Sequence, residues 1–193
     1  MPPKARITRD MILDAAFDLV RAEGHEALNV RTLAKRLGCS TQPILYNFAA
    51  VEELKDAVYQ RADEFHTAYI LPKGGEGADA LLELGLNYVR FGHEEKHLFR
   101  FLFESDRFGG MDFKGLLRWP GSDELVAILA EALGCPAAEA EKLFVTFFAV
   151  AHGLASLLCN NAMEYDETEC AAMLETVFNG ALAALTSKGE EYA

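Results

Sequence analysis

The chain reads as all-α, on three observations. Apolar residues recur at spacings of three and four almost throughout, and no stretch sustains the alternation of a half-buried strand. Residues that start helices stand just before these periodic segments, and glycines or prolines follow them. Apolar residues form 51% of the 193 and charged residues 25%, a composition that can bury a real core. About nine helices are expected. They fall into an N-terminal three-helix domain over residues 1–50, a connecting helix over 51–71 and a C-terminal helical bundle over 72–193.

The first helix spans about Arg9 to Glu23, with Met11, Ile12, Ala15, Ala16, Leu19 and Val20 on one face. Thr8 is its cap, Ile7 and Ile12 suit a hydrophobic staple, and Gly24 ends it. A second helix runs from Val30 to Leu37, capped by Asn29 and stopped by Gly38. The third runs from Thr41 to Asn47 behind Ser40 as cap, with Pro43 in the first turn, where a missing N–H matters little. A longer helix from Val51 to Tyr69 ends before Pro72 and a glycine-rich break at 74–77. Further helices are expected at about 78–92, 94–104, 122–133, 137–160 and 167–186, with 105–121 the least regular stretch.

No uninterrupted apolar run approaches the ~18 residues of a membrane span, and Met1-Pro2-Pro3-Lys4 opens no signal-peptide stretch, so a cytoplasmic location is expected. The four cysteines, Cys39, Cys135, Cys159 and Cys170, form no CxxC pair and suit reduced thiols. Net charge is −12, but it is unevenly spread. Residues 1–48 carry seven basic and five acidic side chains, and the remainder eleven basic and twenty-five acidic. A mildly basic head on an acidic body suits contact with a polyanion through the head alone.

Helix, glycine turn and short helix over residues 30–47 have the spacing of a helix-turn-helix. The first helix of that motif braces the DNA backbone and the second enters the major groove. Leu33, Ala34, Leu37, Ile44, Leu45 and Phe48 are expected to face inward and lock the pair. Arg31, Lys35, Thr41, Gln42, Tyr46 and Asn47 are left outward. Gln42 can bond adenine bidentately and Thr41 can meet a thymine methyl, whereas Arg31, Tyr46 and Lys55 suit phosphate.

The segment from Ala15 to Leu54, AAFDLVRAEGHEALNVRTLAKRLGCSTQPILYNFAAVEEL, resembles the DNA-binding region of the TetR family of regulators. The resemblance rests on Ala15-Ala16, Gly24, Leu33-Ala34, Leu37-Gly38, Ser40, Tyr46, Phe48 and Leu54. It implies that Tyr46 holds a DNA phosphate and that Phe48 packs the small core. Asn47 stands where the family often has His, and Val51 where it often has a phosphate-holding lysine, a role then passed to Lys55. Leu98 to Phe103 and Ala151-His152-Gly153-Leu154 are similar to the C-terminal domain of a subset with a Trp-His-Gly signature, although Ala151 replaces the Trp.

Two other readings compete. His93-Glu94-Glu95-Lys96-His97 matches the HExxH pattern of zinc metallohydrolases, in which two histidines one helical turn apart bind metal beside a glutamate base. Its two free positions are charged, which suits a solvated helix start better than a motif beneath a cleft. The chain could also be a helical interaction module that binds no DNA, which leaves the outward Thr41, Gln42 and Tyr46 unexplained. No metal or other cofactor, and no enzymatic activity, is expected.

The resemblance implies a ligand cavity in the C-terminal domain. Six phenylalanines fall between residues 91 and 113, and Phe101, Phe108, Trp119, Phe148 and His152 are the expected lining. His152 also fits a hydrogen-bonded core histidine. Phe144, Phe147, Phe148, Ala151, Ala155 and Leu158, with Leu174, Val177, Phe178, Ala181, Leu182 and Leu185, give the last two helices apolar faces suited to a four-helix homodimer interface. The expected protein is thus a repressor that binds pseudo-palindromic operator DNA as a homodimer and is released by a small, largely apolar effector.

Overall fold

Local capping sets where the N-terminal helices begin. In the computed structural model, which describes residues 7–74, 77–105 and 122–190 with side chains as far as 184, α1 spans Arg9–Glu23. Thr8 Oγ1 accepts from the Met11 amide at 3.2 Å, and Gly24 takes φ +87°, a value a side chain would resist. A single 3-10 turn, His25–Ala27, leads into α2, Val30–Arg36, where Asn29 Oδ1 accepts from the Thr32 amide at 2.9 Å. Then follow α3 (Gln42–Asn47), α4 (Val51–Ile70), α5 (Gly77–Glu94), α6 (Lys96–Phe103), α7 (Ser122–Leu133), α8 (Ala137–Asn160) and α9 (Glu167–Glu190). No strand occurs among the described residues, in agreement with the all-α reading. The Ser40 cap is not formed: the residue before α3 is Thr41, with helical backbone and no side-chain cap.

By packing, the chain divides into two units. The first gathers the chain up to Ala68 together with Glu95–Ser105, and the second gathers Tyr69–Glu94 with the described residues beyond 121. This division differs from the one read along the chain, because α6 joins the N-terminal helices. Its apolar residues Leu98, Phe99, Phe101 and Leu102 are buried, and it packs against α1, with Phe101 and Phe103 also meeting the Tyr59 and His66 rings of α4. Arg21 secures that contact: its guanidinium bonds both Glu95 oxygens, with Nε at 2.8 Å from Oε2, and lies over the Phe65 ring.

The first unit buries one ionisable ring. His66 is 7% exposed and meets the Phe103 ring edge-on, and burial lowers its pKa from 6.5 to about 4. The unfolded chain therefore takes a proton below pH 6.5 that the folded unit refuses. The resulting stability is complete above pH 6.5 and lost as pH falls towards 4, by about 3 kcal/mol in all. We expect the fall in thermal midpoint between pH 6.5 and 4 to be shallower in His66→Leu than in the native chain. Equal slopes would show that carboxylates alone carry the acid sensitivity.

In the second unit α5 packs on α8 and α9, and α7 covers α5 and α8. The α5–α8 crossing is close. A Cβ built at Gly92 would stand 2.7 Å from the Ala155 methyl, and one at Gly85 would stand 2.5 Å from the Phe147 ring. Phe144, Phe147, Ala151, Ala155 and Leu158 of α8, with Leu174 and Phe178 of α9, are all buried within this single chain. The dimer surface read from those residues is thus corrected: their faces are spent on the intrachain core. By length and composition α8 is apolar enough to cross a membrane, which counting only uninterrupted runs had missed, and its most apolar side lies in this core. No disulfide joins the four cysteines.

Candidate nucleic-acid interface

The helix-turn-helix is held from one side. Leu33 and Ala34 of α2 and Ile44 of α3 are buried, as is Phe48 just beyond, and Gly38 turns the chain between the helices at φ +62°. A six-residue helix has too few internal bonds to persist alone, so this lock keeps α3 folded. Its other side does nothing for the core. Tyr46 is 82% exposed, and Gln42, Arg31 and Lys35 are exposed. Thr41 and Lys55 are half-buried. A groove of about 850 Å³ opens beside α3, lined by Thr8, Arg9, Ser40, Gln42, Pro43 and Tyr46 among others.

Two sequence expectations change here. Leu45 is 52% exposed and does not join the lock, because at 100° per residue it follows Ile44 away from the core towards Tyr46. It adds an apolar side chain, suited to a thymine methyl, to a surface that was read as wholly polar. Asn47 points back: its Nδ2 donates to the Pro43 carbonyl at 2.7 Å, so its amide closes the last turn of α3.

The expected ligand set divides between the units. Phe101 lies in the core of the first, 3% exposed, with its ring stacked on His25 and edge-on to Tyr59. It packs there because the apolar side of α6 faces α1. Phe148 and His152 lie in the second unit, with a partner that sequence reasoning missed. Tyr88 is 2% exposed, and its hydroxyl is 2.9 Å from His152 Nδ1. Burial raises the phenol pKa well above its usual value, so Tyr88 stays a neutral phenol beside the imidazole. Phe148 stands edge-on to Tyr88 at 5.3 Å and stacked on His152 at 5.9 Å. Phe108 and Trp119 lie outside the described residues.

The zinc reading requires both histidines on one unbroken turn. Helix α5 ends at Glu94, Glu95 leaves helical geometry at φ −111° and ψ 48°, and α6 begins at Lys96. His93 stacks on Tyr165 in the second unit, while His97 sits beside Gly24 in the first. Among the described residues no three His, Cys, Asp or Glu side chains are grouped to hold a metal ion.

Residues 81–180 match the family described as "Tetracyclin repressor-like, C-terminal domain". The chain belongs to that family. Among curated TetR-family proteins, it is 31% identical over 78 residues to the class D tetracycline repressor of Escherichia coli and to the class H repressor of Photobacterium damsela subsp. piscicida. The matched stretch is 40% of this chain and 36% of the length of each relative. The TetR fold recurs in solved structures. A TetR-family regulator from Streptomyces coelicolor matches with TM-score 0.69 at 20% identity, over 95% of this chain and 83% of that one. A TetR-like regulator from Rhodococcus sp. RHA1 matches with TM-score 0.65 at 16% identity, over 92% and 99%.

Proposed function

We propose that this TetR-family member is a transcriptional repressor that binds operator DNA as a homodimer and leaves it when a small, largely apolar molecule binds the second unit. The single observation that carries the DNA reading is the outward side of α3. Gln42, Leu45 and Tyr46 are presented on a rigid helix whose opposite side is locked into a core. Such a surface contributes nothing to folding, and it combines a base-reading amide, an apolar contact and a phosphate-reaching hydroxyl. Arg31, Lys35, Thr41 and Lys55 supply the remaining proposed contacts. Asn47 has its role there reduced to shaping α3.

The partner copy is proposed on the side of the last two helices that the intrachain core leaves open. On α8 this side carries Thr146, Ala149, Gly153 and the half-exposed Leu157; on α9 it carries Ala172, Met173, Thr176 and Gly180. Small residues in such a row let helix backbones approach closely across a two-fold axis. The axis would set two copies of α3 about one DNA turn, ~34 Å, apart on a pseudo-palindromic site.

For the effector, the Tyr88–His152 pair beside Phe148 supplies one or two polar contacts in apolar surroundings, which fits a neutral or cationic, mainly apolar molecule. On the same helix as Tyr88, Arg90 is paired with Glu167 at 2.8 Å and so is not free to hold an anionic effector. Binding then shifts the population towards a state in which the two copies of α3 no longer match successive major grooves. The proposal is tested by selecting duplexes from a random pool and titrating the winner across a salt series. A pseudo-palindromic consensus and a steep loss of affinity with salt are expected. Absence of salt-sensitive duplex binding by the intact chain would sink the reading.

A further inference from the structure

Helix α3 ends at Asn47, and only three residues, Phe48, Ala49 and Ala50, separate it from α4. Neither alanine can cap α4 with a side chain. Glu53 in the first turn of α4 does so instead, its Oε2 accepting from the Ala49 amide at 2.9 Å. The other oxygen, Oε1, accepts from Arg9 Nη1 at 3.0 Å. The same Arg9 nitrogen donates to the Asn47 backbone carbonyl at 2.8 Å, where α3 ends. The guanidinium carbon lies 4.0 Å from the centre of the Phe48 ring. One side chain from the start of α1 therefore touches the last carbonyl of α3, the ring that anchors α3, and the carboxylate that starts α4.

We propose that Arg9 and Glu53 form a strap that sets the angle of α3 against α4, making both of them positioning residues for operator recognition. The inference rests on the DNA-binding reading above. An arginine near the DNA-reading helix is ordinarily taken for a phosphate contact, and a glutamate there for an electrostatic penalty. The strap reverses the second expectation. Both side chains are nearly half exposed, so the ion pair by itself adds little to stability. Its effect lies in orientation: Arg9 is committed to a carbonyl, a carboxylate and a ring that belong to three successive segments. A lysine would keep the charge but has no planar guanidinium to lie on the Phe48 ring while its nitrogen reaches the carbonyl and the carboxylate.

The test compares Arg9→Ala, Arg9→Lys and Glu53→Gln in full-length protein, on the selected operator and on a random duplex, with amide exchange at Ala49 followed in the free protein. Glu53→Gln is expected to weaken operator binding about tenfold despite removing a negative charge, a loss of the size one bidentate base contact represents, with random-duplex binding unchanged or tighter. Arg9→Lys should lose as much as Arg9→Ala, neither should lower the salt slope by the ~1 of a lost phosphate contact, and Ala49 exchange should quicken in all three. Tighter operator binding by Glu53→Gln, native affinity in Arg9→Lys, or unchanged exchange at Ala49 would overturn the strap. Failure of the native chain to bind any duplex would instead overturn the DNA reading, while Ala49 exchange would still report on the strap.

Discussion

Gly153→Glu is expected to turn the proposed dimer into a monomer and to lower operator affinity at least a hundredfold at nanomolar protein. The glycine lies on the exposed side of α8, and a Cβ built there meets no atom of the described residues within 4 Å, so the substitution is expected to leave the single-chain fold undisturbed. Within a helix it even removes a glycine that is ~1 kcal/mol worse than alanine. In a two-fold interface the same change sets two carboxylates near the axis, desolvated and without a cationic partner. A monomer engages one half-site and forfeits the ~10²–10⁴ gain of simultaneous attachment. Sedimentation and anisotropy measured on one preparation separate the two effects. A stable dimer with native operator affinity would place the interface elsewhere, and a variant that unfolds would contradict the open space around Gly153.

The recognition side of α3 yields the second large effect. Tyr46→Ala should weaken binding to every duplex sequence, since a hydroxyl held to phosphate carries no base information. Gln42→Ala should relax the choice at one base pair by ~1–3 kcal/mol and leave random-duplex binding nearly as it was. Leu45→Ala distinguishes the structure from the inward reading of the pattern. A buried leucine would cost about 2–5 kcal/mol of stability on truncation, whereas this one, 52% exposed, should cost far less and affect thymine preference instead. A drop of several kcal/mol in unfolding free energy would return Leu45 to the core. Uniform losses across sequences for Gln42→Ala would remove it from base reading.

What the sequence alone determined was local. Thr8, Gly24, Asn29 and Gly38 act on backbone groups within four residues, so the starts and stops of α1 and α2, and the glycine turn before α3, could be read without knowing any neighbour. The helical period persists whatever a helix packs against, which made the all-α class and the long helices legible. Tertiary structure decided everything that depends on which neighbour takes which face. An apolar stripe on α8 or α9 looks the same whether a partner chain or the chain's own α5 buries it, and here α5 does. Phe101 could serve a cavity or a core until α6 was seen against α1. Tyr88 and His152 are 64 residues apart, and Arg9 and Glu53 are 44, separations over which no periodicity carries information. The HExxH spelling survives in the sequence, yet the break at Glu95 removes the single turn its chemistry needs. Short-range hydrogen bonding is written residue by residue, whereas burial is a property of pairs of surfaces that only the folded chain brings together.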